Sequence, residues 1–107
     1  MTTENGYCIV LCTCPDDSHA DDIAVKLVEK KLAACVQILP IRSCYEWQGE
    51  ICRDTERLLF IKTKTAMYGD IEEFIILNHP YEVPEIVRLD ITGGLDKYLA
   101  WVNSVIG

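Results

Sequence analysis

Positive charge is scarce in this chain. Lys and Arg number 10 against 17 Asp and Glu, a formal net charge of −7 over 107 residues. An acidic surface repels phosphate backbones and anionic headgroups, which argues against nucleic acid and membrane surfaces as partners. Long apolar runs are missing too: nothing approaches the roughly 20 residues needed to span a bilayer. Residues 1–6 lack a basic start, and the apolar run 7–12 is too short for a signal-peptide core, so a cytosolic protein is expected. Histidine is nearly absent, with two residues, and there is no glycine-rich phosphate loop and no H-E-x-x-H. No Ser or Cys stands beside a paired base, so the expectation is a binding protein and not an enzyme.

What is present suits one compact domain spanning 1–107, since half of the residues are hydrophobic. Six cysteines sit mostly in apolar, strand-like runs. In a reducing cytosol they are expected to be thiols packed as small hydrophobes.

Along the chain, "YCIVLCTC" (7–14) reads as a buried strand stopped by Pro15. Ser18 with Asp21 resembles a capping box ahead of a helix whose apolar stripe is Ala20, Ile23, Ala24, Leu27, Val28 and Leu32. "CVQILPIRSCYEW" (35–47) and "ICRDTERLLFIKTK" (51–64) form a hairpin around Gly49, with Pro40 marking a bulge or an edge. Thr65 caps a second helix, which must end near His79 because Pro80 disfavours helical geometry in the residue before it. "EIVRLDIT" (85–92) is a strand, and Leu95, Tyr98, Leu99, Val102 and Val105 give a last helix. The order is β-α-β-β-α-β plus a C-terminal helix, the α+β, ferredoxin-like pattern.

The hairpin is too long for its domain. Residues 35–47 as a strand span about 40 Å at roughly 3.3 Å per residue. A domain of this size is only about 35 Å across, from a radius of gyration of about 13 Å. An apolar two-stranded ribbon does not stand alone, so it is expected to pack on another copy of the chain.

Several stretches together resemble the CutA divalent-cation tolerance proteins: "LCTCPD" (11–16), "KLAACVQILP" (31–40), "YEWQGEI" (45–51), "ERLLFIKT" (56–63), "HPYEVPEI" (79–86) and "YLAWVN" (98–103). They follow one another in the family's order and cover nearly the whole chain. The resemblance implies a ferredoxin-like subunit in a homotrimer similar to the PII signalling proteins. It also implies a cytoplasmic role in copper tolerance, with copper or another divalent cation bound directly. Its copper-associated positions fall on Cys12 and His79, and Cys35 has also been linked to metal. Asn78 stands where some relatives carry a second histidine, and Asn is the poorer copper ligand.

Cys12 and Cys14 point to one face of their strand, roughly 6.5 Å apart along the backbone. Sulfurs sharing a copper lie nearer 4 Å, given metal–sulfur bonds of about 2.3 Å. His79 has two readings, a metal ligand or a helix-ending residue bonded to a free carbonyl. Tyr45, Trp47, Glu56, Lys62, Tyr81 and Glu85 are the candidates for the walls of a cleft between subunits, with plain packing as the alternative. Three functions follow: direct copper binding, a PII-like sensor of a small metabolite, and a scaffold for a protein partner.

Overall fold

The computed structural model describes residues 6–106; the expectation about residues 1–5 lies outside them. Strands β1 (Tyr7–Cys14), β2 (Cys35–Trp47), β3 (Glu50–Lys64) and β4 (Ile86–Ile91) form one sheet in the order β2-β3-β1-β4. All three pairings are antiparallel. Helices α1 (Asp17–Glu29) and α2 (Tyr68–Asn78) are the crossovers, and α3 (Asp96–Val105) closes the chain. This is the expected ferredoxin-like arrangement of two interleaved β-α-β units.

Strand alternation decides where the core lies. Cys8, Val10, Cys12 and Cys14 of β1 are fully buried, and Leu59 and Ile61 of β3 meet them on the same face. Ala20, Ile23 and Leu27 of α1 and Ile71 and Ile75 of α2 cover that face. A smaller cluster of Ala34, Val102 and Ile106 docks α3.

The ends of α1 depart from expectation. Its N-cap is Asp16, whose carboxylate accepts the His19 backbone N–H at 2.9 Å, and not Ser18. Aspartate caps as well as serine, and Asp16 inherits extended backbone from β1, which the cap position requires. At the far end the Leu32 N–H reaches the Leu27 carbonyl and the Lys31 N–H reaches the Val28 carbonyl, both at 3.0 Å, with Lys31 at φ 59°. This is a Schellman ending, so Leu32 lies past the helix instead of on its stripe. Thr65 opens a 3₁₀ turn (Thr65–Met67), and no side chain caps α2.

The hairpin is unbroken. Pro40 faces Arg57 in a continuous register, so the edge reading holds and the bulge does not occur. Gln48 and Gly49 carry φ of 52° and 81°, the left-handed pair of a type I′ turn. Pairing of β3 with β1 stops at Cys14↔Arg57, whereas β2 and β3 stay paired out to Trp47↔Glu50. The outer part is therefore a bare ribbon, and the chain measures 44 × 28 × 22 Å.

Candidate functional site

The site forms where the end of β1 meets the loop that follows α2. His79 leaves the helix at ψ 141° while its N–H still bonds the Ile75 carbonyl at 2.8 Å. Pro80 requires that extended geometry. The imidazole then ties the loop to the sheet. Nδ1 accepts the Tyr81 backbone N–H at 3.0 Å, which leaves the proton on Nε2 to be donated to the Thr13 carbonyl at 2.8 Å. Burial pulls the His79 pKa below its ordinary value, against the opposing effect of the Thr13 carbonyl, and so favours the neutral ring. His79 thus does bond a free carbonyl, but a strand carbonyl 66 positions away instead of one in its own helix.

Beside this latch lie two thiols. The ligand atoms of Cys12, Cys14 and His79 are all within 4.8 Å of one another. Both cysteines are fully buried. Their mutual hydrogen bond, with burial after it, pushes the Cys12 thiol well above its ordinary range. A sulfur–sulfur–imidazole set is the donor chemistry that suits Cu(I). Ligands about 2.3 Å from one metal lie at most about 4.6 Å apart, and about 4 Å apart in a trigonal site. The cluster needs a contraction of less than an ångström to meet that spacing, so these residues fit a soft ion.

Asn78 is committed to its own helix: its amide donates to the Phe74 carbonyl at 2.8 Å and satisfies the end of α2. Cys35 is half-buried at the start of β2, opposite Lys62, and outside the cluster.

Next to the cluster opens a cavity of about 500 Å³. Tyr45, Trp47 and Glu56 reach it from the hairpin, and Tyr81, Glu82 and Glu85 from the loop after α2. Five of the six residues expected to line a cleft therefore come together, within a single chain. Lys62 does not. It shares a strand face with Glu56, but its ammonium lies 5.7 Å from the Tyr98 ring, on the side covered by α3. Same-face spacing reports direction and not proximity, and six residues along a strand is about 20 Å.

Glu56 is buried and accepts the Tyr81 hydroxyl at 2.7 Å. Burial and that carboxylate push the Tyr81 phenol up. Tyr45 donates to Asp54, which pushes its phenol up to about 12. The rings of His79 and Tyr81 sit 4.8 Å apart, so the latch and the cavity share a wall. Thr13, Glu82 and Asp54 escaped the sequence reading. Thr13 acts through its backbone carbonyl, for which a sequence carries no side-chain signal.

The sequence matches the CutA1 divalent ion tolerance protein family over residues 8–105. It is 46% identical over 100 residues to the divalent-cation tolerance protein CutA of Thermus thermophilus, covering 92% of this chain and 97% of that one. It is 48% identical over 95 residues to a CutA homolog of Xenopus laevis, covering 88% of this chain and 63% of the relative, whose length it therefore spans only in part. The crystal structure of CutA1 from Oryza sativa superposes with a TM-score of 0.93 at 37% identity, covering 99% of this chain and 98% of the other. Motifs, fold and relatives agree, and the chain belongs to the CutA1 divalent ion tolerance family.

Proposed function

We propose that this protein is a cytoplasmic homotrimer that serves divalent-cation tolerance by binding copper directly, without catalysis. The observation that carries the reading is the set of buried Cys12 and Cys14 with half-buried His79, the one group at metal-holding spacing among the described residues. Thiolates prefer Cu(I), and a reducing cytosol would keep both thiols and metal in that state. Capture would exchange thiol protons for the metal and draw one imidazole nitrogen out of its backbone hydrogen bond. Metal occupancy and the His79 latch therefore compete. Trimer formation is supported by the bare hairpin ribbon, with Ile51 66% exposed. Leu39, Val87 and Leu89 are likewise exposed on the sheet face opposite the core.

The test is a titration of metal-free protein with Cu(I) under reductant against a competing chelator, and separately with Cu(II). Wild type should take up about one copper per subunit. Cys12→Ser and His79→Ala should each lose most of that uptake. Uptake that is unchanged in both variants would sink the assignment. Light scattering at micromolar concentration checks the assembly, and a monomeric mass would remove the trimer.

A further inference from the structure

The cavity beside the latch has a chemistry of its own. Three aromatic side chains, Tyr45, Trp47 and Tyr81, and three carboxylates, Glu56, Glu82 and Glu85, line it, and no Lys, Arg or His does. Both tyrosine hydroxyls already spend their protons, on Asp54 and on Glu56. What faces the space is therefore acceptors and π-systems, with very few donors. An anion finds only the Thr13 hydroxyl and the Trp47 indole N–H, set against three carboxylates. A neutral polar molecule finds acceptors without matching donors. A cation finds carboxylates and ring faces together.

A bare metal ion is the poorer occupant. Metal chelation requires ligand atoms within a few ångströms of one another. Among the described residues the only group at such spacing is the cysteine–histidine cluster, and none of the cavity carboxylates belongs to it. Carboxylates spread around about 500 Å³ suit an extended cation whose charges are separated by an apolar body. Val83, Pro80 and the exposed ring of Trp47 supply apolar wall for that body.

We infer that this cavity is a binding site for an aliphatic amine cation, with a diamine favoured over a monoamine because its carboxylates come from two separate elements, Glu56 from the hairpin and Glu82 and Glu85 from the loop. None of the copper-cluster residues Cys12, Cys14 and His79 lines this site.

The experiment uses the full chain in its native assembly, with Trp101→Phe as background so that Trp47 is the only indole. Fluorescence is titrated with 1,4-diaminobutane, n-butylamine and the uncharged isostere 1,4-butanediol. The diamine should saturate, on the order of 1 mM for so small a probe. It should bind at least about tenfold tighter than the diol, with the monoamine between them. Trp47→Leu, followed by calorimetry, should weaken the diamine about fivefold or more. So should Glu82→Gln with Glu85→Gln, two exposed positions whose change leaves the fold intact. Glu29→Gln with Glu73→Gln removes the same charge from exposed helix positions and should change nothing. Cys12→Ser should bind the diamine as wild type does, which separates this site from the copper site. Equal affinity for diamine and diol would overturn the proposal. Equal weakening by the two glutamate pairs would as well, because the attraction would then be the diffuse field of an acidic protein. No fluorescence response at all, the result expected if a neighbouring copy fills the cavity, overturns it too.

Discussion

Near its base β3 buries Leu59 and Ile61 completely, while toward its tip the same strand leaves Ile51 66% exposed and its neighbour across the turn, Trp47, 55% exposed. The backbone does not explain the difference. Both halves are paired with β2 in one unbroken register and turn through the same I′ hairpin. The base has β1 on its other edge and α1 and α2 on its face, whereas the tip has only its partner strand. Hydrogen bonding can thus be identical where packing is not, and packing carries most of the stabilisation. The tip is the part of this chain whose order must come from elsewhere.

Truncation at the two ends should make the contrast quantitative. Leu59→Ala opens a cavity in a fully buried site and should cost about 2–5 kcal/mol in denaturant melts. Ile51→Ala removes a side chain already in solvent and should cost under about 0.5 kcal/mol in a dilute, dissociated chain. At higher protein concentration the Ile51→Ala cost should grow if the tip packs on another copy, because association then contributes to stability. A cost at position 51 that is independent of concentration would break the comparison.

The next effect belongs to the latch. His79→Ala leaves the Thr13 carbonyl and the Tyr81 N–H without their partner, at a cost of about 1–3 kcal/mol. It should also loosen the loop that carries Tyr81, so amide exchange should rise at residues 80–85 and stay unchanged at the hairpin tip. Protection lost equally at both places would mean that the tip leans on the loop and is not the independent element described above.

Backbone conformation gives a smaller pair of changes with opposite signs. Gly49→Ala places a Cβ at φ 81° in the tip turn and should cost about 1–2 kcal/mol. Lys31→Gly at φ 59° removes a similar strain from the Schellman ending of α1 and should gain about 0.5–1 kcal/mol, less the entropy glycine adds to the unfolded chain. If Gly49→Ala moved the melting midpoint by nothing, the tip would not take part in the cooperative transition.

The contrast between base and tip was partly legible in the residues. β1, the hairpin and the stop at His79 were readable because their determinants are local: alternation, a turn glycine and a proline. Strand length against domain size was enough to expect the overhang. The cap at Asp16 was missed because two good capping residues stand close together, and only the exit direction of β1 chooses between them. Leu32 misled because a Schellman ending keeps an apolar residue in near-helical phase after the helix has stopped. Lys62 misled because a shared face says nothing about what covers each end of it. For His79 both readings rest on real geometry, a latch and a neighbour of two thiols, and no local signal distinguishes them when one partner is a carbonyl on β1.

Acid should act on the base and spare the tip. The His79 pKa is lowered in the folded protein from an ordinary value of 6.5, chiefly by burial. A group depressed in this way binds fewer protons folded than unfolded, so its contribution is fully present above about pH 6.5 and is lost as pH falls through that value toward the lower folded one. The imidazolium would carry a proton on Nδ1, which cannot then accept the Tyr81 N–H, so the loop should come off β1 before the hairpin changes. Denaturant midpoints measured from pH 7.5 down to pH 5 should fall more steeply for wild type than for His79→Ala, in which that titration is gone. The carboxylates contribute a background common to both proteins, and the difference between the two curves isolates the ring. Parallel curves would mean that His79 titrates alike in both states, and the latch would then hold the loop without responding to acid.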